Sequence, residues 1–376
     1  MDPVISLLEQ LVALDSVNPS LVPGASGEGN VAAFIAEHMR TVGLDVELQQ
    51  VEAGRPNVIG VLEGRTPGRS LMFCGHTDTV GVEGMTDPWR PRQQNGRLYG
   101  RGAQDMKGGL AAMIDAARML ANDGFASGRL IVAAVIDEEF ASLGADALVR
   151  RWTADAAVVT EPTDLAIGVG HKGFAWLEIE TRGRAAHGSR PVDGRDAIFR
   201  MGRVLAELER LDRELQSRVA HPLMGTASLH ASIIEGGREM SSYPDRCLLR
   251  MERRTVGGER AGAALEEVRH ILERLHRTDR EFDAEARAGL SRSSYEIAAD
   301  HALPAALETA AAAAGVTARL SGLSFWTDAA ILGGAGIPSV LFGPGGAGLH
   351  STEEYVNVAD VLACRNVLAR FARQWC

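Results

Sequence analysis

Four apolar runs constrain the fold of this 376-residue chain more than any other feature of its sequence. Each run is short and almost wholly apolar, and each leads, directly or through a glycine-rich loop, to a histidine or a glutamate. The runs cover residues 71–74, 130–136, 156–159 and 339–342. Continuous apolar runs of this length are typical of strands buried on both faces of a sheet. If the strands are parallel, their carboxyl ends share one edge, and the polar residues that follow are expected to converge there.

A further acid comes from the glycine-rich stretch at residues 100–109. Asp105 lies in this stretch, immediately before a segment at 110–120 whose apolar side chains recur at helical spacing. A lone aspartate at this point is most simply a helix cap that accepts backbone N–H groups. Its interpretation changes because histidines and acids follow the four apolar runs.

The candidate polar residues form a set of histidines and acids that contains no cysteine. The set comprises His76, Asp78, Asp105, Glu138, Glu139, Glu161 and His350. Taken singly, each has an ordinary explanation, as a hydrogen-bonded histidine, a surface acid, or a turn or helix cap. Taken together, they suit divalent ions such as zinc, cobalt or manganese. Five candidate ligands within this set exceed the four that one tetrahedral ion needs. Two ions about 3.5–4 Å apart, bridged by a carboxylate, would use all five.

The composition excludes several classes of function. The chain has 39 Lys and Arg against 49 Asp and Glu, and this net charge of −10 disfavours nucleic acid and anionic lipid as partners. No clean apolar span for a membrane helix is present, and residues 1–3 lack the basic start of a secretion signal. The four cysteines form no CxxC pair. We predict a cytoplasmic protein.

The order of patterns predicts a domain inserted within a larger one. The first half alternates strand and helix patterns, which favours an α/β domain with a mixed, mainly parallel sheet flanked by helices. From residue 174 to 290 the patterns change to four half-exposed strands and two amphipathic helices, typical of a compact α+β insert. The α/β style then returns. We therefore assign residues 1–173 and 291–376 to one domain and 174–290 to an insert.

Six motifs resemble the zinc-dependent amidohydrolase and peptidase family that includes acetylornithine deacetylase, succinyl-diaminopimelate desuccinylase, aminoacylase and glutamate carboxypeptidase. They occur in order along nearly the whole chain. The motifs are HTD at 76–78, GxxDMKGG at 102–109, the acid pair at 138–139, TEPT at 160–163, GRAAHGSRP at 183–191 and GLHSxxE at 348–354.

The resemblance implies a catalytic domain that binds two divalent metal ions. His76 and Glu161 would hold one ion, Glu139 and His350 the other, and Asp105 would bridge them. Zinc is the expected metal, with cobalt or manganese as alternatives. The family pattern also implies a cis peptide bond after the bridging aspartate.

The same resemblance implies the catalytic roles. Asp78 would orient His76, and Glu138 would act as the general base for a metal-bridging water that attacks the amide carbonyl. His187 would donate to the oxyanion, in its own subunit or across a dimer. The insert at 174–290 would accordingly serve as lid and dimerisation domain of a homodimer.

Four further residues are expected to contact the substrate. Arg254 resembles an arginine that grips a substrate carboxylate, and Gly345 and Gly346 would let the backbone approach the substrate. Related lids carry an Asn-x-x-Pro, where this chain has Ser241 followed by Pro244. This departure leaves the preferred acyl group open.

The resemblance therefore predicts a hydrolase that removes an acyl group from an N-acyl α-amino acid, with an acetylornithine deacetylase-like activity first and a broader aminoacylase close behind. A dipeptidase or carboxypeptidase is the alternative, since the same attack cleaves a peptide bond. A non-catalytic amino-acid-binding relative would require missing ligands, and none is missing from the sequence.

Overall fold

The computed structural model describes residues 2–376, which divide into two compact units. The first unit comprises the chain up to Val169, Ile297–Ser321 and Thr327–Cys376, and the second comprises Gly170–Glu296 and Gly322–Trp326. The insert expected at residues 174–290 lies inside the second unit. Its roles as lid and dimerisation domain stay predictions.

The helices and strands are as follows in chain order. The helices are α1 (Pro3–Val12), α2 (Gly29–Thr41), α3 (Gly108–Asp123), α4 (Leu143–Leu148), α5 (Ala197–Ser217), α6 (Ala263–Thr278), α7 (Ala302–Ala313), α8 (Ala329–Gly334) and α9 (Val358–Trp375). The strands are β1 (Asp45–Glu52), β2 (Arg55–Glu63), β3 (Thr66–His76), β4 (Arg92–Gln94), β5 (Arg97–Tyr99), β6 (Ser127–Val135), β7 (Ala156–Val159), β8 (Ile167–His171), β9 (Gly173–Arg182), β10 (Ser228–Gly236), β11 (Arg246–Thr255), β12 (Asp283–Arg292), β13 (Tyr295–Glu296), β14 (Leu320–Leu323), β15 (Ser339–Leu341), β16 (Gly346–Ala347) and β17 (Tyr355–Asn357).

The first unit is built on a mixed sheet with a parallel centre. Its strand order is β1-β2-β6-β3-β7-β15-β8, and the neighbours β6-β3-β7-β15 are parallel while the outer pairs are antiparallel. These four parallel strands contain the four apolar runs. The α/β prediction is confirmed. β8 continues into the second unit, where β13 pairs with its last residues, and β14 also pairs with β8.

Helix α3 covers this sheet with the apolar stripe predicted from the sequence. The five residues of the stripe are fully buried: Leu110, Met113, Ile114, Ala117 and Leu120. The helix also packs on α9 and on strands β3 and β6. Because helices flank the central strands, those strands are buried on both faces, which explains their almost wholly apolar composition.

A small antiparallel sheet joins two distant parts of the first unit. Its order is β16-β17-β5-β4, with Tyr355 opposite Tyr99 and Val356 opposite Leu98. β5 ends just before the turn that carries Asp105. The loop between β16 and β17 carries His350. This sheet therefore fixes two of the candidate site residues relative to each other.

The second unit is an antiparallel sheet with two helices packed on it. Its strand order is β10-β11-β9-β12, and helices α5 and α6 cover the sheet with a core that includes Ile179, Met201, Leu249 and Ile271. These are the four strands and two helices expected from the sequence. β10 is an edge strand, and its residues Ser228–Gly236 are largely exposed.

Within residues 2–376, no helix has the length and apolar character needed to cross a membrane. The four cysteines, Cys74, Cys247, Cys364 and Cys376, are free thiols.

Candidate metal centre

The carboxyl ends of the parallel strands bring four candidate residues together. His76 is the last residue of β3, Glu138 and Glu139 follow the end of β6 within four residues, and Glu161 follows β7 by two residues. The side chain of His76 is buried, and those of the three glutamates are between 5 and 11% exposed. The sheet edge therefore collects a histidine and three nearly buried acids.

Asp105 lies between two histidines. Its Oδ1 is 3.1 Å from His76 Nε2, and its Oδ2 is 3.3 Å from His350 Nε2. The carboxylate does not cap α3, because that helix begins at Gly108 and has no side-chain cap. The Asp105-Met106 peptide bond is cis, as the resemblance implied. Each oxygen of one carboxylate thus faces a different histidine.

The other acids divide between the two histidines. Glu139 Oε2 is 3.1 Å from His350 Nε2, whereas Glu161 Oε1 and Glu138 Oε2 are 3.9 and 4.0 Å from His76 Nε2. His76, Asp105 and Glu139 form one group whose ligand atoms are close enough to hold an ion, and His76, Glu138 and Glu161 form another.

Asp78 contacts both His76 and the backbone of the acid pair. His76 Nδ1 donates to the backbone oxygen of Asp78 at 2.9 Å and lies 3.5 Å from its Oδ1, so that Nε2 is directed at the acids. The Asp78 carboxylate also accepts the backbone N–H groups of Glu138 and Glu139, both at 3.1 Å. One carboxylate therefore positions a histidine and the adjacent acid pair.

Burial and crowding shift the pKa values of the glutamates. Burial, reinforced by the charge of Glu161, raises the pKa of Glu138 well above its ordinary value. Burial also raises the pKa of Glu161 well above the usual range, although His76 opposes the shift. The pKa of Glu139 rises to about 7 through burial and the charge of Asp105. Crowded buried carboxylates favour a bound cation.

The pKa values of the two histidines are also raised, whereas that of the central aspartate is lowered. Burial opposes a charge on His76, but its hydrogen bonds to Asp105 and Asp78 outweigh this and raise its pKa well above the ordinary value. Hydrogen bonds to Asp105 and Glu139 raise the pKa of His350 to about 10. Despite burial, the hydrogen bonds from His350 and His76 lower the pKa of Asp105. The central carboxylate is therefore held as an anion.

Glu354 fixes the turn that carries Asp105, a role that the sequence analysis missed. Its carboxylate accepts the backbone N–H groups of Gly102, Gln104 and Asp105 at 2.8–3.0 Å, and it pairs with Arg101 Nη1 at 2.7 Å. The GLHSxxE motif contains Glu354, so the residue was visible in the sequence. Its role was not, because the partners are backbone groups 249–252 positions away.

Comparison with known proteins identifies the family. Residues 72–374 match the model of "Peptidase family M20/M25/M40", which spans more than half of the chain. The chain belongs to this family.

Relatives of the M20 chain carry several activities in their names. The chain is 33% identical to an acetylornithine deacetylase from Myxococcus xanthus, over 98% of this chain and 96% of the relative. It is 29% identical to an N-formyl-4-amino-5-aminomethyl-2-methylpyrimidine deformylase from Bacillus subtilis, over 99% of this chain and 94% of the relative. Among solved structures, it resembles the Bacillus subtilis YXEP protein, a dinuclear metal binding peptidase of the M20 family. The TM-score is 0.75 at 18% identity, covering 98% of this chain and 96% of that one.

The predicted catalytic residue His187 and the predicted substrate contact Ser241 of the M20 chain lie on neighbouring segments of its second unit. His187 is exposed, and its Nδ1 is 2.8 Å from Ser189 Oγ. The next residue, Gly188, donates its N–H to the backbone oxygen of Ser241 at 2.7 Å, and His187 forms an isolated β-bridge with Ser242. The two predicted contacts therefore lie on paired loops.

Arg254 lies on β11 and already has an acidic partner. Its Nε donates to Glu252 Oε1 at 2.6 Å, and its side chain is about one-third exposed. The neighbouring Arg253 is instead buried between Glu259 and Glu267. A substrate carboxylate at Arg254 would compete with Glu252.

Gly345 and Gly346 have a packing explanation. A Cβ at Gly345 would lie 2.3 Å from Asp164 Oδ1, and a Cβ at Gly346 would lie 2.1 Å from the backbone oxygen of Tyr355. A side chain at Gly346 would therefore meet the backbone of β17, and one at Gly345 would require the Asp164 side chain to move. Approach of these two residues to a substrate stays a prediction.

Proposed function

We propose that this M20-family chain is a dinuclear metal-dependent hydrolase that cleaves the amide bond of an N-acyl α-amino acid. The observation that carries the proposal is the position of Asp105, whose two oxygens face His76 and His350 at 3.1 and 3.3 Å. A carboxylate shared between two ligand sets suits a pair of ions about 3.5–4 Å apart.

The donor set fits two divalent ions. His76 and Glu161 would hold one ion and Glu139 and His350 the other, with Asp105 shared between them. Among residues 2–376, Glu139 Oε1 is buried and has no hydrogen-bond partner, so it is available as a ligand atom. Imidazole and carboxylate ligands without thiolate suit zinc, and cobalt or manganese would also be accepted.

Bound ions would polarise the substrate carbonyl and make a water molecule more acidic. Glu138 would remove a proton from that water at its carboxylate, while the water oxygen attacks the carbonyl carbon. The same carboxyl group would then deliver the proton to the amide nitrogen, and the C–N bond would break to give an amine and a carboxylic acid, which loses its remaining proton to the medium. The raised pKa of Glu138 and its fixed backbone suit both transfers.

His187 would donate to the carbonyl oxygen as negative charge develops on it, in its own subunit or across a dimer. Arg254 is the proposed partner for the substrate carboxylate, and Ser241, Gly345 and Gly346 complete the proposed contacts. These assignments rest on the family resemblance.

The named relatives support a small acyl group. The Myxococcus xanthus protein is named for deacetylation and the Bacillus subtilis protein for deformylation. We therefore propose N-acetyl amino acids first, with acetylornithine as the leading substrate, followed by a broader aminoacylase range. The peptidase named among the solved structures favours a dipeptidase or carboxypeptidase as the second candidate. A non-catalytic amino-acid-binding protein is disfavoured because every proposed ligand side chain is present at the site.

A homodimer through the second unit is also proposed. Edge strand β10 leaves Ile233 and Ile234 about half exposed, and Phe199 and Met240 are more exposed still. An exposed edge strand with apolar side chains offers a surface on which a second copy can pair. Light scattering on the purified chain measures the oligomeric state directly.

A hydrolysis screen tests the activity. Metal-free protein is reconstituted with zinc, cobalt or manganese and assayed on N-acetyl, N-formyl and N-succinyl amino acids and on dipeptides, with release of free amine as the readout. Metal-dependent cleavage of N-acetylornithine or other N-acetyl amino acids supports the proposal. Cleavage of dipeptides alone selects the second candidate, and no metal-dependent release with any substrate contradicts both.

A further inference from the structure

Asp78 belongs to a buried polar cluster whose other members are not proposed metal ligands. We call it the Asn18 cluster, and it consists of Asn18, Glu28, Arg55, Asp78 and Asp137. Its members are at most 7% exposed. They come from five separate segments of the first unit. Buried charged groups are costly unless they are paired, so the contacts within the cluster must be specific.

Asn18 links two carboxylates through one amide nitrogen. Its Nδ2 donates to Asp78 Oδ2 at 2.8 Å and to Asp137 Oδ1 at 3.0 Å. Its Oδ1 accepts the backbone N–H of Ser20 at 2.9 Å. Since only the nitrogen of an amide can donate, these partners fix the orientation of the side chain. Both N–H groups of the Asn18 side chain are thus used to hold the carboxylates of Asp78 and Asp137 together.

Arg55 holds the far side of the cluster. Its Nε and Nη2 contact the two oxygens of Glu28 at 2.6 and 2.7 Å, and Nη2 also lies 3.1 Å from Asp137 Oδ1. The forked pairing with Glu28 is specific to a guanidinium and fixes the geometry of that carboxylate, while Asp137 receives a single contact from Nη2. Arg55 Nη2 is 3.3 Å from Asn18 Oδ1 as well. The arginine therefore supports Asn18 and its partner Asp137 together.

Within the Asn18 cluster, Asp78 is the member whose side chain contacts the proposed site residues. Asp137 is, in addition, the chain neighbour of Glu138. Asp78 accepts the N–H groups of Glu138 and Glu139 and lies beside His76 Nδ1. A displacement of Asp78 would therefore displace the proposed base Glu138 and the proposed ligands Glu139 and His76. It would also remove the contact that fixes the tautomer of His76. Residues behind a ligand commonly control metal affinity in this way.

We propose that Asn18 and Arg55 are positioning residues that hold Asp78 and thereby set the geometry of His76, Glu138 and Glu139. They contact neither the substrate nor the proposed ions. Their effect on turnover rests on the proposed function, whereas their effect on metal affinity does not require that the substrate be known.

The test compares Asn18→Leu, which has a similar shape but no donors, with Arg55→Lys, which keeps the charge but loses the fork. Arg151→Met is the matched control, since Arg151 also pairs with a glutamate but is 63% exposed and outside the cluster. Zinc or cobalt affinity is measured by competition with a chelator, together with thermal unfolding of the metal-free proteins and kcat and KM.

We expect Asn18→Leu and Arg55→Lys to lose metal affinity and kcat by about 10 to 100-fold, with a much smaller change in KM. The control should match the wild type. If Asn18→Leu fails to fold, the metal affinity of the folded Arg55→Lys variant tests the inference. Wild-type metal affinity in the folded variants overturns the inference, even if kcat falls.

The two proposals fail in different ways. A wild-type chain that binds metal but cleaves no amide removes the proposed function and leaves the metal-affinity comparison intact. A wild-type chain that cleaves amides, with variants that bind metal as tightly as it does, removes only the positioning roles.

Discussion

The backbone N–H of Asp105 donates to Glu354 Oε1 at 3.0 Å, which ties the central carboxylate of the site to a residue 249 positions later in the chain. The same carboxylate accepts two further backbone N–H groups from the turn. The local conformation around Asp105 therefore depends on the loop that carries His350.

Replacing Glu354 with glutamine should loosen this turn. Only one oxygen would remain for three N–H donors, and the new NH2 group would face at least one of them. We expect a loss of about 1–3 kcal/mol in the free energy of unfolding and a weaker retention of metal. Urea unfolding and metal analysis check both. Glu353→Gln is the control because the side chain of Glu353 is exposed. Equal stability of the two variants would contradict the role of Glu354.

Glu138→Gln should keep the metal but lose turnover. The amide retains the shape of the side chain but cannot take a proton from water, so we expect kcat to fall by about 10² or more. Metal content and kcat are measured on the same sample. Glu139→Gln is the comparison, and it should lose metal as well because Glu139 is a proposed ligand. A fully active Glu138→Gln would exclude the role of Glu138 as base.

His187→Ala should reduce kcat more than it raises KM, because a donor to the oxyanion acts mainly in the transition state. Steady-state kinetics on the best substrate from the screen give both constants. His270→Ala provides an exposed histidine of the second unit as control. A change confined to KM would assign His187 to substrate binding instead.

Stability should fall below about pH 6.5 through His171 of the second unit. Burial lowers the pKa of His171 to about 4, and within residues 2–376 its Nε2 has no hydrogen-bond partner. Well above pH 6.5 the histidine is neutral in both the folded and the unfolded chain. As the pH falls towards 4, His171 becomes protonated in the unfolded chain but stays neutral in the folded chain. This difference lowers the free energy of unfolding by about 3 kcal/mol.

The variant His171→Phe isolates this effect because it keeps a ring next to Tyr295 and Trp326. The difference in unfolding temperature between wild type and variant should shift in favour of the variant between pH 7 and pH 5. His270→Phe, at an exposed histidine of the same unit, is the control for the substitution itself. A pH-independent difference for His171→Phe would mean that the histidine titrates normally in the folded protein.

Much of the sheet could be predicted because burial on both faces leaves a direct mark on the sequence. The runs at 71–74, 130–136, 156–159 and 339–342 fall in or at the ends of β3, β6, β7 and β15, and these strands are parallel neighbours. The short strands β4, β5, β16 and β17 were missed. They have two or three residues each and hold their place through pairing across the chain, which leaves no periodic pattern.

The site was predictable where a motif carried the chemistry, and less so where backbone groups did. His76, Asp105 and His350 were candidates from their motifs, and the structure places each histidine within 3.3 Å of a carboxylate oxygen of Asp105. Asn18 and Arg55 were not candidates, because an asparagine before a proline is typical of a turn and an arginine at a strand start is typical of a surface. Their burial depends on tertiary packing that the local sequence does not show.

The central claim is that Asp105 bridges two metal ions. Its most direct test is an anomalous diffraction measurement on crystals grown with zinc, supported by metal analysis of the protein in solution. We predict two peaks about 3.5–4 Å apart on either side of the Asp105 carboxylate, and two ions per chain that Asp105→Asn fails to retain. A single peak, or two ions retained after that substitution, would contradict the account.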